Sequence, residues 1–501
     1  MSDFSQDASA KARQTMDLLW SRVRQRGDLP GFSSVVNAIV GAMRGDDERE
    51  FNMTRTVLQD PALTQKVLRL ANSAMYSVFG QDINTVSKAV IVLGTEAIGH
   101  LALGLKLIDG LSAVSAESAQ TRDEMEKAVL AGHIARQVVS WAGMRDAEEA
   151  VVCSILHSLG RMMAVFYLSD RWPQMQVRSA ELGDENEAAR EIFGLSLDDI
   201  GRQVAQQWSL PSGVVNTLRK VPPRPVSEPL DHGDWLAVVS TLSSRCADAL
   251  SSTDDAASMK VSALAAGYAD MLGLPMSELV AAIDAGHRAA AEEELGGVRG
   301  AKSGASARRA PAPVTGKPAD AATILRRGVA DMRGGLRSAS TGQLMSMALE
   351  TVYQGLGFRR TVAFVRDRER GQYVAHLGLG DGVHDLLPRL AFSDAYQPDV
   401  FHAAMVNDKM VFVENALNPA FANKVPRWWK ETFPSVRSFM VLPLTVNRQA
   451  LGFLYGDWDV SQPGATIEQT EIAPLDALRT LLTRTIAERR QVEPSWVRKI
   501  F

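Results

Sequence analysis

The sequence predicts a chain in two unlike parts: an all-α domain of many helices, then an α+β domain with a central antiparallel sheet. Three observations carry that expectation. Apolar residues recur at helical spacing almost throughout residues 28–293, with few convincing strands. Short β-rich runs take over from residue 322. Between the two, residues 294–321 are dominated by Gly, Ala, Ser, Pro and Arg, a composition that cannot offset its ordering entropy and is expected to act as a flexible tether.

The elements follow in order. Residues 1–27 form a polar helical extension. In the run from Pro61, Leu63, Val67, Leu70 and Ala71 make one apolar stripe, with Asp60 as N-cap and Pro61 in the first turn. A second stripe joins Val86, Val90, Leu93, Ala97, Leu101 and Leu105. Further helices are expected over Met125–Ala142, Glu148–Leu168, Glu187–Trp208, Asp234–Leu250 and Ala256–Glu293. Within residues 322–490, helices at Thr323–Met332 and Gly342–Gln354 precede five strands. These are Thr361–Val365, Gln372–Leu377, Met410–Val413, Ser438–Val446 and Ala450–Tyr455. Asn447, Arg448 and Gln449 form a hairpin-length connection between the last two. A closing helix, Glu471–Arg490, aligns Leu475, Leu478, Leu482 and Ile486, and residues 491–501 remain as a tail. The stripes on Thr323–Met332 and Glu471–Arg490 suit either a homodimer interface or cover for their own sheet. Arg359, Arg360 and the basic residues between Arg366 and Arg370 read as solvated faces.

Composition narrows the function classes. Hydrophobic residues make up 46% of the 501 and charged residues 22%, the balance of a globular protein with real cores. A net charge of −4 supplies no global attraction to nucleic acid or anionic lipid. Two cysteines, Cys153 and Cys246, exclude a disulfide framework and a cysteine-rich zinc site, and fit a reducing cytosol. The N-terminus lacks an apolar signal core, and no stretch offers the ~20 uninterrupted apolar residues of a membrane span. The expectation is a cytoplasmic protein with no membrane or nucleic-acid partner.

Leu29-Pro30, the run Gln59–Ser77, the run Thr85–Leu103, the block Ser154–Met163 and the block Glu191–Pro211 together resemble an HDOD domain. The resemblance spans about residues 28 to 290 and implies a helical relative of the HD-type metal phosphohydrolases. Those enzymes hold metal ions on His and Asp side chains, whose lone pairs fix the cation that activates water. At the positions the resemblance assigns to ligands, this chain has Lys127, His157, Ser158, Leu197 and Val221, with His133 near the first and Asp198 and Asp199 beside Leu197. One imidazole, a cation, a hydroxyl and two apolar groups make no metal site, so neither a metal nor catalysis is expected. His157 then reads as a half-buried structural histidine. Cys153, four residues earlier, reads as a buried thiol rather than half of a thiol–imidazole nucleophile.

The block Ser435–Asp457, an apolar strand with a proline, a short turn and a Leu-Gly-Phe-Leu strand, is similar to a GAF domain over about Leu325 to Arg490. Such domains often hold a small ligand between sheet and helices. The acidic pair of the cyclic-nucleotide signature is missing after Asn423-Lys424, and no cysteine beyond Cys246 can anchor a bilin. No cofactor is therefore expected. Trp428, Trp429 and Tyr455 are the candidates for contact with a planar ligand, although aromatic packing is the simpler reading of the tryptophans. Gly378 and Gly380 imitate a dinucleotide loop, but Val383 occupies the third glycine position and no βαβ unit surrounds it. Together the resemblances imply a non-enzymatic bacterial signalling regulator with other signalling proteins as partners, in motility, virulence or cyclic-di-GMP circuits. The alternatives are an HD-type nucleotide phosphohydrolase and a structural scaffold with an empty GAF pocket.

Overall fold

The computed structural model describes residues 2–27, 34–44, 49–72, 83–112, 119–144, 147–226, 228–251, 256–302, 316–462 and 465–492. Leu29-Pro30 and Ser73–Ser77 of the expected motifs lie outside them. The chain opens with helices α1 (Ser2–Arg26), α2 (Ser34–Arg44), α3 (Arg49–Leu58), α4 (Pro61–Ala71), α5 (Val86–Leu93), α6 (Thr95–Ser112) and α7 (Ala119–Trp141). Next come α8 (Ala147–His157), α9 (Leu159–Tyr167), α10 (Trp172–Leu182), α11 (Glu185–Phe193), α12 (Leu197–Gln207) and α13 (Ser212–Thr217). The helical part ends with α14 (His232–Leu250), α15 (Ala257–Leu272) and α16 (Met276–Lys302). Helices α17 (Ala321–Gly335) and α18 (Thr341–Leu356) lead into strands β1 (Arg360–Asp367) and β2 (Gln372–Gly380). After α19 (Val383–Leu386) follow β3 (Ala391–Ser393), α20 (Val400–Asn407), β4 (Val411–Val413), α21 (Pro419–Ala422) and α22 (Arg427–Thr432). The long strands β5 (Val436–Val446) and β6 (Gln449–Asp459) precede α23 (Gln469–Val492).

Two compact units share the chain, and neither is a continuous segment. The first combines Met1–Asp47 with Glu96–Ala307, and the second combines Glu48–Thr95 with Arg308–Phe501. This differs from the single domain expected over residues 28–293: α3, α4 and α5 belong with the C-terminal sheet.

In the first unit α7 packs against α8, α14 and α16 around Ile134, Val138, Leu236, Leu242, Tyr268 and Ile283. The expected helix Glu148–Leu168 is two helices meeting at Ser158. Immediately after the break, Gly160 lets α9 press on α12, since a Cβ there would fall 1.8 Å from the Leu197 carbonyl oxygen. The segment Ala147–Tyr167 has the length and hydropathy (1.5) of a membrane span, but 78% of it is buried within the protein. Helix α16 runs through Gly296 and Gly297 to Lys302, so the expected tether start at residue 294 lies inside a helix. The preceding Ala- and Glu-rich run favours helix strongly enough to carry it past the glycines. Residues 303–315 lie outside the described residues.

The second unit is organised by a six-stranded antiparallel sheet in the order β3-β2-β1-β6-β5-β4. Alternation along each strand sorts the side chains onto two faces. Ala363, Leu442 and Leu454 join α17, α18 and α23 in one core, which also takes in Phe51 of α3. Phe364, Phe439 and Phe453 join α20 and α22 in another. The stripe Leu475, Leu478, Leu482 and Ile486 is buried in the first core with Leu325, Val329 and Met332 of α17, so both expected stripes cover their own sheet. Asn447 and Arg448 close the β5–β6 hairpin in two residues with φ of 50° and 60°, and Gln449 already pairs with Val446. Pro443 lies within β5, past the Phe439–Val441 stretch that pairs with β4, where a missing N–H is tolerated.

Arg360 is not solvated, whereas Arg366 keeps about a third of its side chain exposed. Arg360 points inward and is buried against Asp457, its Nε and Nη2 donating to the carboxylate at 3.1 Å, while Arg366 pairs with Asp394 at 2.7 Å. A period-2 strand sends every second side chain inward, and the buried Asp457 makes that placement tolerable for Arg360.

Candidate functional site

The HD-type positions gather in the first unit. Lys127 on α7, His157 at the end of α8, Ser158 at the break and Leu197 at the start of α12 line one cleft of about 50 Å³, together with Glu124, Arg161, Glu185, Asp198 and Lys220. Val221 falls one residue beyond Lys220. It is buried, its amide donating to Thr241 Oγ1 at 3.1 Å and its carbonyl accepting from the Tyr268 hydroxyl at 2.7 Å.

Ion pairs fill this cleft. Glu124 is buried and receives Arg161 through two nitrogens, at 2.5 and 3.0 Å. Arg161 also pairs with Glu185, and Lys220 reaches the same carboxylate at 3.4 Å. Lys127 bonds Asp123 at 2.6 Å and Glu124 at 3.4 Å. Burial opposes the Lys127 charge, but the Asp123 hydrogen bond and the Glu124 carboxylate outweigh it, so the ammonium titrates above its ordinary range. His157 behaves oppositely. Burial pushes its imidazole down to about 4, Asp198 opposing and the Lys220 charge adding to the effect. Its Nδ1 is buried with no hydrogen-bond partner.

These residues do not fit the metal that the HD-type relatives would hold there. A cation in the cleft would meet Lys127, Arg161 and Lys220, which already occupy the Glu124 and Glu185 carboxylates. Among the described residues no group of three or more His, Cys, Asp or Glu side chains converges on such a position. Cys153 is fully buried one turn before His157, and burial pushes its thiol up to about 12, which removes nucleophilic character at neutral pH.

The GAF-type candidates occupy the second sheet face. Trp429 and Tyr455 meet there, Trp429 Nε1 donating to the Tyr455 hydroxyl at 3.0 Å, and both are almost wholly buried. Trp428 is half-buried and stacks on Phe392 with centroids 4.6 Å apart. Phe401 stacks on Phe439 and Phe364 on Phe453, so the chain's own rings occupy the space between strand and helix.

Sequence reasoning missed a polar cluster at the start of α5. Glu350 of α18 accepts from the amides of Val86 and Ser87 and from the Ser87 hydroxyl at 2.5 Å. Asp331 of α17 accepts from the amide of Asn84 at 2.8 Å, from Thr85 Oγ1 at 3.0 Å and from Lys88 Nζ at 3.1 Å. Two helices of the sheet domain thus hold one helix of the expected HDOD segment. Acids within the apolar patterns of α17 and α18 were the available signal.

Comparison with known proteins matches the HDOD domain family to residues 29–221. An uncharacterized protein of Treponema pallidum is 24% identical over 213 residues, which cover 41% of this chain and 40% of that protein's length. The chain therefore spans about two fifths of the curated relative it matches. Among solved structures, an HDOD domain protein of unknown function from Geobacter sulfurreducens is similar, with 18% identity, 58% of this chain and 97% of that one covered, and a TM-score of 0.38. So is the GAF domain of an Acinetobacter phosphoenolpyruvate-protein phosphotransferase, with 17% identity, 34% and 95% covered, and a TM-score of 0.28. Residues 29–221 thus match the HDOD domain family, and a six-stranded antiparallel sheet with its covering helices follows them.

Proposed function

We propose that this protein is a non-catalytic signalling regulator whose HDOD domain serves as a binding module for another signalling protein. The observation that carries the reading is the Glu124–Arg161–Lys127 network in the cleft where Lys127, His157, Ser158 and Leu197 stand at the positions the resemblance assigns to metal ligands. Its cations repel a metal, and His157 lacks the neighbouring carboxylate of an HD pair. The GAF-like half supplies the sensory input, and the α3–α5 segment carries it, because α5 is held by Glu350 and Asp331 and is separated from α6 only by Gly94. A cytoplasmic setting and a place in a cyclic-di-GMP-type circuit complete the proposal on family resemblance.

Metal analysis of the purified chain, paired with a phosphodiesterase assay on bis-p-nitrophenyl phosphate in Mn²⁺ or Mg²⁺, tests it. The expected result is substoichiometric metal and no turnover. Chelator-sensitive hydrolysis that disappears in His157→Ala would establish the phosphohydrolase reading instead.

A further inference from the structure

Besides the two positions above, the sheet unit contains a third feature, a cavity of about 300 Å³ on the face opposite Trp429 and Tyr455. Its floor is Ala363 and Val365 of β1 with Leu377 of β2; its walls include Met345 of α18, Phe51 of α3 and Ile91 of α5. The volume accommodates about ten non-hydrogen atoms if each takes roughly the 30 Å³ share of a water molecule. It stands at the lower end of small-molecule sites, which combine an apolar lining with a few placed polar groups.

The polar groups here have a direction. With Glu350 ionised, Ser87 Oγ spends its proton on Glu350 Oε2 at 2.5 Å. Ser346 Oγ lies 3.2 Å from Ser87 Oγ, so the proton between the two hydroxyls must come from Ser346. Ser346 lines the cavity, and with its proton committed it offers an occupant lone pairs only. Glu50, also at the wall, accepts from the Gln343 amide at 2.6 Å and sets a carboxylate beside the cavity, while the nearby Arg489 is committed to Thr341 Oγ1 and the Leu336 and Ala339 carbonyls. The site is therefore built to accept a hydrogen bond from its occupant and to disfavour an anion.

We infer that this cavity binds a compact, uncharged apolar molecule bearing one hydroxyl or N–H donor, of the phenol or indole class, with the donor on Ser346 Oγ and the ring against Val365, Leu377 and Phe51. An occupant would complete the chain donor–Ser346–Ser87–Glu350 and tie α3 and α5 to α18 and β1. The site deepens the sensory half of the proposed function by naming its ligand class, and it rests on that reading only for its biological use.

The test is calorimetric titration of the full chain with 2-naphthol, with 2-naphthoate as a size-matched anion. Saturable one-to-one binding is expected, weakened at least tenfold in Val365→Trp, which fills the cavity, and about threefold or more in Ser346→Ala, with naphthoate at least tenfold weaker than naphthol. The Val365→Trp arm keeps the test decisive if Ser346→Ala fails to fold. Absence of saturable naphthol binding, unchanged affinity in Val365→Trp, or naphthoate binding as tightly as naphthol would overturn the inference. None of these outcomes bears on the metal and turnover assays, so the two readings fail separately.

Discussion

Glu350 holds the start of α5 by accepting the backbone amide of Ser87 at 2.8 Å and its hydroxyl at 2.5 Å, with the Val86 amide on its other oxygen at 2.7 Å. A buried carboxylate thus does for α5 what an N-cap side chain does locally, and Thr85 caps the same turn from within the chain. Glu350→Ala leaves two amides buried without partners and the Ser87 hydroxyl with Ser346 Oγ alone, an expected cost of about 3 kcal/mol. Hydrogen exchange at Val86 and Ser87 should accelerate more than exchange in the first unit.

The same carboxyl sets a pH dependence. Burial pushes Glu350 up to about 7, the Ser87 and Val86 bonds opposing and Asp331 adding to the rise. The folded chain holds this proton between about 4.5 and 7 while the unfolded chain releases it. The stabilisation is therefore full below pH 4.5 and is lost as pH rises through 7, by up to about 3 kcal/mol. Glu350→Gln should flatten that slope in exchange protection of α5 between pH 5 and 8.

His157 gives the first unit the opposite sign. Its folded value near 4 lies below the ordinary 6.5, so its contribution is present above pH 6.5 and is lost as pH falls through 4. Exchange protection of α8 and α9 should decline on acidification across that window, and His157→Leu should remove the decline. Opposite slopes in the two units would show that single-transition unfolding is not the right description of this chain.

Much of the fold was legible because its determinants are local. Asp60 does cap α4, its side chain accepting the Leu63 amide at 3.0 Å with Pro61 in the first turn, as the sequence implies. Helical stripes such as Leu475–Ile486 and the alternation in β5 and β6 need no partner to be recognised. Strand β3 carries one large apolar residue, Phe392, and so shows too little pattern to read, whereas the equally short β4 is apolar throughout. The assignment of α3–α5 to the sheet unit was not legible, because it depends on Phe51, Asp331 and Glu350 meeting across more than 240 residues of chain. At the HD-type cleft, Lys127, His157, Ser158 and Leu197, the positions taken from the resemblance, do line one cleft. The acids that neutralise Lys127 and Arg161 come partly from α11, and no spacing rule announces that.

Arg360 and Asp457 show how far burial can depart from a charge pattern. Burial raises the Asp457 carboxyl to about 6, Arg360 opposing it, and the guanidinium lies 5.1 Å from the Phe433 ring centroid. Removing one partner in Asp457→Ala strands a buried cation, at an expected cost of about 3–5 kcal/mol. The double variant Arg360→Met/Asp457→Leu should lose much less, and denaturant melts of both variants check the comparison.

Trp429 and Tyr455 decide whether the second sheet face is a closed core or a pocket closed by a movable ring. Trp429 Nε1 has the Tyr455 hydroxyl as its acceptor, inside a cluster whose rings already satisfy one another. Tyr455→Phe keeps the shape but removes the indole's acceptor and a hydrogen-bond partner of Asp457, so a closed core loses at least about 1–3 kcal/mol. Trp429→Phe/Tyr455→Phe then restores part of the loss, because neither polar group remains. A movable ring would instead turn Trp429 toward water in Tyr455→Phe, where its N–H finds a new partner at little cost. The double-mutant cycle should give a coupling of about 1 kcal/mol, with Trp429 remaining inaccessible to acrylamide in Tyr455→Phe. Zero coupling with newly quenchable Trp429 would identify this face as an openable pocket.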